Sequence, residues 1–252
     1  MACMSNEAIE ALIPQLDAVD ESPGAAALRA RSYELLHAAP GAPVVDVGCG
    51  SGRAVAELAD RGIPATGIDV SDQMIEVARK RRPDGEFRVG DLHALPFEDG
   101  EVAGYRADKV VHTLADPGRA LAEARRVLAP GGRVVLAGQD WDTFVIDSAD
   151  PELTRTIVRK RADQVASPRA ARQYRNLLLD AGFRDATVEV HTGVFTDASF
   201  LPLLTRLAEV CCEHGAVTRV EADAWIADQR ERAQADRLFA AVPIFMAAAT
   251  NP

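Results

Sequence analysis

Residues 44–53, Val-Val-Asp-Val-Gly-Cys-Gly-Ser-Gly-Arg, place three glycines at alternate positions between a short apolar run and a helical pattern. Glycine reaches positive φ without strain and lets a ligand approach the backbone without meeting a Cβ. A helix that starts at such a bend offers free N–H groups to a phosphate or a carboxylate. In an α/β protein the ligand lies beyond the carboxyl ends of the strands, where strand gives way to helix. Asp46, Gly48, Cys49, Gly50 and Gly52 therefore read as a ligand-binding loop. Two further acids stand at the ends of later strand patterns: Asp69 in Gly67-Ile68-Asp69-Val70-Ser71 and Asp91 in Gly90-Asp91-Leu92. Taken alone, Asp69 also reads as a helix cap, although Ser71 or Asp72 suits that role better, and Asp91 reads as a turn residue.

The loop has Arg53 where the dinucleotide fingerprint needs its last glycine, and it lacks the Gly-Lys-Ser/Thr ending of a P-loop. Its G-x-G-x-G spacing after Asp46 is followed in order by Asp69, by Gly90-Asp91-Leu92 and by Arg125-Arg126-Val127-Leu128-Ala129-Pro130-Gly131-Gly132. This series resembles the class I S-adenosylmethionine-dependent methyltransferases, and among them the ubiquinone/menaquinone-type small-molecule enzymes, over roughly residues 30–140. The resemblance implies S-adenosyl-L-methionine as cofactor, bound by Asp46, Gly48, Cys49, Gly50, Gly52, Asp69, Val70, Gly90, Asp91 and Leu92. Asp69 would accept the ribose hydroxyls and Asp91 the adenine amino group. It also implies a Rossmann-like α/β fold: a seven-stranded, mostly parallel sheet, its last strand antiparallel, with helices on both faces and a helical lid. One stretch departs from the pattern. Relatives often open the fourth strand with Phe-Asp, whereas this chain has Val102-Ala103-Gly104-Tyr105-Arg106, so no residue role is carried over there.

Methyl transfer from a sulfonium is an in-line displacement whose donor is already activated, so the protein mainly aligns the reactants and excludes water. An oxygen or nitrogen acceptor can also need a base, placed at the carboxyl ends of the fourth and fifth strands. His112, in Lys109-Val110-Val111-His112-Thr113-Leu114, titrates in the useful range, although it could equally pack beside the cofactor. Asp140 and Asp142, flanking Trp141, could act on a proton, cap a helix or fix an arginine. Trp141 could stack on a planar substrate or close the core. Arg172 and Arg175, with Tyr174 between them, could hold a substrate carboxylate or form a solvated helix face. The expected catalytic residues are thus His112 and Asp140, and the expected substrate-binding residues Trp141, Arg172 and Tyr174, with no metal. The expected activity is methylation of a small metabolite at O, N or C, plausible in secondary metabolism. The alternatives are an enzyme that binds the cofactor without transferring its methyl, as cyclase-like relatives do, and a non-catalytic cofactor-binding protein. An NAD-dependent dehydrogenase is disfavoured by Arg53 and by the acidic pair Asp69 and Asp91.

The elements that must position these groups alternate. Strand patterns at 44–47, 65–69, 86–89, 102–108 and 133–137 are separated by helical patterns at 53–61, 72–81 and 119–128, as in a parallel sheet covered on both faces. Residues 7–38 read as mostly helical, in two pieces separated by Asp20-Glu21-Ser22-Pro23-Gly24, with Ile9, Leu12, Ile13 and Leu16 on the first stripe and Leu28, Leu35 and Leu36 on the second. In the second half, 152–165, 169–181, 200–214 and 221–235 read as helices and 186–195 as a strand. The last segment, 238–249, reads either as a strand that Pro243 consigns to an edge or a bulge or as a buried helix, and the strand is favoured. The expected organisation is an N-terminal helical lid segment over 1–38 and a core over 39–252 with a helical insertion near 196–237.

Composition narrows the partners. The chain has 252 residues, 48% hydrophobic and 26% charged, as in globular proteins. Its 38 acidic against 28 basic residues give a net charge of −10, which repels nucleic acid and anionic membranes. A small-molecule partner is expected, with oligomeric state left open. No apolar run reaches the about 20 residues of a membrane span, and the acidic N-terminus does not read as a signal peptide. Cys3, Cys49, Cys211 and Cys212 lack zinc spacing and read as reduced thiols of a cytoplasmic protein.

Overall fold

Val44–Val47 (β1) is buried at every position, as expected of a strand covered on both faces. The computed structural model describes residues 23–252. The helix expected over residues 7–22 and the Cys3 thiol lie outside the described residues. After α1 (Pro23–Leu36) and β1 come α2 (Arg53–Ala59), β2 (Ala65–Asp69), α3 (Asp72–Arg81), β3 (Glu86–Val89) and β4 (Val102–Asp108). A short 3₁₀ turn at Val111–Thr113 leads to α4 (Pro117–Val127) and β5 (Leu128–Gln139). The second half holds β6 (Val145–Ile146), α5 (Pro151–Ala162), α6 (Ala170–Asp180), β7 (Arg184–Phe195), α7 (Leu201–Glu213), α8 (Arg219–Gln234) and β8 (Ala240–Thr250).

The sheet order is β3-β2-β1-β4-β5-β8-β6, with β7 paired to β8. Strands β1 to β5 are parallel, and β8 runs antiparallel to β5. The sheet has eight strands rather than the expected seven. The addition is the two-residue β6, which pairs Val145 with Ala241 and Ile146 with Ala240 beyond the end of β5. The final segment is a strand, but an interior one between β5 and β7, not an edge. Pro243 sits where pairing to β5 has ended at Ile244 and pairing to β6 has yet to begin at Ala241. That gap accommodates a residue without an N–H.

Helices cover both faces. Tyr33 and Leu36 of α1 and Leu58 of α2 pack with Val135 and Met246 on one face, while Leu121 and Ala124 of α4 and Ala171 and Tyr174 of α6 pack with Tyr105 and Leu136 on the other. A third cluster joins Ile157 of α5, Leu204 and Leu207 of α7 and Trp225 of α8 to Ala240 and Val242 at the start of β8. Helix starts follow their caps: Ser71 accepts from Met74 N–H, Asp116 and Asp150 cap helices that open on Pro117 and Pro151, and Thr218 and Glu221 form a capping box. No helix among the described residues is long and apolar enough to cross a membrane.

Candidate active site

The chain runs outward from β1 to β3 and then returns to β4 beside β1, so the carboxyl ends of β1 and β4 mark the topological switch point. A cavity of about 670 Å³ opens there, within the range of small-molecule sites. Its floor is the glycine loop. Gly48, Gly50 and Gly52 have φ of 65°, 52° and 83°, values that disfavour any side chain. At Gly48 a Cβ would lie 2.3 Å from Cγ2 of Val110. At Gly50 it would meet nothing within 4 Å, because this residue faces the open cavity. Gly52 turns away from the cavity and packs on Phe87 and Ala78. Cys49 supplies backbone rather than a reactive thiol, since burial pushes its thiol far up.

The two acids at strand ends stand on the same cavity wall. Asp69 accepts the N–H of Gly50 on Oδ2 and that of Ser71 on Oδ1, both at 2.9 Å. These bonds fix the carboxylate while leaving lone pairs for a ligand. Beside it Val70 is 66% exposed, an apolar side chain turned to open space on the wall. Gly90 N–H donates to the Asp69 carbonyl at 2.9 Å. Asp91 Oδ1 accepts the N–H of His93 at 2.9 Å and lies 2.8 Å from His93 Nδ1. The backbone bond first, then the ring, hold the Asp91 carboxyl below its ordinary range. Asp91 is thus both the turn residue and a cavity residue.

Behind the loop lies a charge cluster. Arg106, 3% exposed on β4, donates to Asp46 Oδ1 at 2.7 Å, to Asp108 Oδ2 at 2.8 Å and, through Nε, to Ser32 Oγ of α1 at 2.8 Å. Burial opposes its charge, but Asp46 and Asp108 raise its pKa above the ordinary guanidinium range. Burial would likewise raise Asp108, yet Arg106 and then Lys109 hold it below the usual carboxylate range. Burial pushes Asp46 up against the pull of Arg106. Lys109, next on the wall, has φ of 60°, and its N–H donates to the Ala137 carbonyl at 2.8 Å. A lysine in this sparsely populated region is backbone strain at the site.

Asp46, Gly48, Cys49, Gly50, Asp69, Val70, Gly90, Asp91 and Leu92 all line the cavity. The five residues expected at the substrate do not. Tyr174 is a correction: it is 0% exposed, its hydroxyl donates to the Ala137 carbonyl at 3.3 Å, and burial pushes its phenol far up. It closes the core. Asp140 is a second correction. Its buried carboxylate is gripped by Arg172 Nε and Nη2 and accepts Asp142 N–H at 3.0 Å, so it holds a loop rather than standing ready for a proton. Arg172 is the other half of that pair. His112 is 9% exposed; burial first, then Arg161 and Lys109, lower its pKa to about 4. Its ring meets that of Trp141 edge to face. The cavity also has lining residues that the sequence reading did not assign, chiefly Arg29 from α1, Arg106, Lys109 and Met74. Only Arg106 carried a signal, as a charge inside an apolar strand run.

A family model described as a methyltransferase domain matches residues 45–136, which spans the glycine loop to β5. The chain is 36% identical over 263 residues to an uncharacterized 37.1 kDa protein in transposon TN4556 of Streptomyces fradiae, covering 99% of this chain and 75% of that protein. It is 38% identical over 107 residues to a demethylmenaquinone methyltransferase of Renibacterium salmoninarum, covering 42% of this chain and 45% of that enzyme. It thus spans less than half of that relative. Among solved structures, phosphoethanolamine N-methyltransferase 2 of Haemonchus contortus, in complex with phosphomonomethylethanolamine and S-adenosylhomocysteine, shares the fold with a TM-score of 0.63 at 19% identity, covering 99% of this chain and 58% of that one.

Proposed function

This chain belongs to the class I S-adenosylmethionine-dependent methyltransferases, and from that premise we propose that it methylates a small-molecule acceptor. The observation that supports this most is the cavity itself, where a side-chain-free bend at Gly50 and the carboxylates of Asp69 and Asp91 face one volume of about 670 Å³. The residues fit the cofactor: open space stands where a Gly50 side chain would be, and a fixed carboxylate and an exposed apolar side chain, Val70, adjoin it. When bound, the sulfonium supplies an activated methyl group. Asp69 and Asp91 would hold the nucleoside, and the Gly48–Gly50 backbone would border the amino-acid part. The buried Arg106 holds Asp46 and Asp108 in place behind the loop.

Asp69→Ala is expected to weaken binding of S-adenosylhomocysteine at least tenfold, because a hydrogen bond to a charged group contributes about 1.5–3 kcal/mol. Calorimetry measures it; an unchanged affinity removes Asp69 from the site. The wider test is incubation with S-adenosylmethionine and candidate metabolites. A gain of CH₂ in one of them, with stoichiometric S-adenosylhomocysteine, supports transfer, and binding without that product supports the cyclase-type or non-catalytic alternatives.

His112 is assigned a hydrogen-bonding place beside the acceptor rather than proton transfer. A pKa of about 4 is a poor match to a base working near neutral pH. His112→Gln is expected to lower turnover by less than about tenfold, well short of the ~10²–10⁴ of general-base catalysis, and to leave the pH–rate profile between 6 and 8 unchanged in shape. The depressed pKa also fixes a sign for stability. The unfolded chain takes up the His112 proton near the ordinary 6.5, and the folded chain does so only near 4. The stability of the protein relative to His112→Gln is therefore expected to fall as pH drops through that window, as thermal melts at pH 7, 5.5 and 4.5 would register.

A further inference from the structure

The loop after β5 carries an aromatic cluster beside the cofactor cavity. The rings of Trp141 and Phe144 stack with centroids 5.5 Å apart, and His112 meets Trp141 at 5.6 Å. The guanidinium of Arg161, in the last turn of α5, lies 4.6 Å from the Trp141 ring centroid. The loop is held firmly: Trp141 N–H donates to the Pro168 carbonyl at 3.0 Å, Asp140 is clamped by Arg172, and Asp142 pairs with Arg169. His112 lies in the same short turn as Val110, Thr113 and Leu114, which line the cavity. The cluster therefore adjoins the cofactor's volume.

Two ring nitrogens of the cluster are unmet within the protein, and its guanidinium rests on a π face rather than on a carboxylate. Nδ1 of His112 and Nε1 of Trp141 are buried with no hydrogen-bond partner among the described residues, a state that native polar groups rarely tolerate. Arg161 pairs with no carboxylate among the described residues, while the neighbouring acids Asp140 and Asp142 are already occupied by Arg172 and Arg169. After burial, Arg161 and then Lys109 act against protonation of His112, with Asp108 opposing them, in a chain of net charge −10. Two unpartnered ring nitrogens and a half-buried guanidinium beside an aromatic pair match an aromatic ring that bears a negative charge.

We propose that Trp141, Phe144, His112 and Arg161 form the acceptor subsite, and that the acceptor is a planar arene carrying an anionic group, its ring against the aromatic pair and its charge on Arg161. The proposal rests on the methyltransferase reading and specifies the substrate class for it. The test is calorimetry with 3-hydroxy-2-naphthoate and 2-naphthol, which differ only in the carboxylate, on the protein with and without saturating S-adenosylhomocysteine. The naphthoate is expected to bind at least about tenfold more tightly than the naphthol, the factor appropriate to a charge-assisted hydrogen bond. Arg161→Gln should erase that preference while leaving the naphthol affinity nearly unchanged, and Arg161→Lys should restore part of it. Equal affinities for the two arenes, no binding of either, or an equal loss of both in Arg161→Gln overturns the proposal. The wild-type comparison decides even if a variant fails to fold. Heat for the naphthoate but none for S-adenosylhomocysteine keeps the subsite and sinks the methyltransferase reading; the reverse pattern sinks the subsite alone.

Discussion

Gly48→Ala is expected to weaken binding of S-adenosylhomocysteine more than a hundredfold. Two independent effects act on one atom. The backbone at Gly48 has φ of 65°, and holding a residue with a Cβ in such a region costs about 1–3 kcal/mol. The new Cβ would also stand 2.3 Å from Cγ2 of Val110, so the Val110 side chain, the 3₁₀ turn behind it or the loop must move. Overpacking of this kind costs typically 1–3 kcal/mol more. Relief by moving the loop displaces the Gly50 N–H from Asp69 Oδ2, the bond that orients that carboxylate. At about 1.4 kcal/mol per factor of ten, a combined cost of about 2–6 kcal/mol corresponds to roughly one and a half to four decades in affinity, centred near three. Calorimetry at high protein concentration is the check, with circular dichroism to show that the variant is folded. An affinity within threefold of wild type would mean that the loop does not carry the cofactor.

Arg106→Met is expected to be the most destabilising single change near the site. Removing one partner of a buried ion pair typically costs about 3–5 kcal/mol, because the other charge is left uncompensated in a medium that solvates it poorly. Here two carboxylates, Asp46 and Asp108, lose the same cation, and Ser32 Oγ loses its donor. For a chain of this size each kcal/mol corresponds to about 2–4 °C in melting temperature, so a fall of roughly 6–20 °C is expected in a thermal scan. Adding Asp46→Asn to Arg106→Met should recover part of the loss, since one stranded charge goes. A drop of less than 2 °C, or no recovery in the double variant, would show that the cluster is not the keystone its burial implies.

The parts of the architecture that were legible in the chain share a physical basis. β1 is a short run buried on both faces and ends in glycines that only a tight bend requires, so strand, loop and helix start announce one another. Asp69 and Asp91 were readable because each closes an apolar strand pattern at the edge where ligands collect. The final segment is legible as a strand, but its interior position is not, because Pro243 is tolerated only through a break in pairing that no local pattern reveals. β6 has two residues and no periodicity to detect. The loop after β5 shows the other limit. Asp140 and Arg172 were each assigned to the substrate rim, yet they neutralise one another across 32 positions, and a pairing at that separation leaves no trace in local spacing. Tyr174 escapes local reading for a similar reason: its place between Arg172 and Arg175 groups it with them at the rim, and the Ala137 carbonyl that satisfies its hydroxyl belongs to a different element. Arg29 and Lys109 reach the cavity through the packing of α1 and through a single left-handed residue, neither of which is encoded in a motif.

The bond from Arg106 to Ser32, with the Tyr33 ring 5.4 Å from the same guanidinium, has an evolutionary consequence. The opening helix and the sheet beneath it are not interchangeable modules. A chimera that set a foreign leading segment on this scaffold would leave the buried Arg106 Nε without its acceptor and the guanidinium without its ring, unless the donor sequence brought a hydroxyl and an aromatic at the matching places.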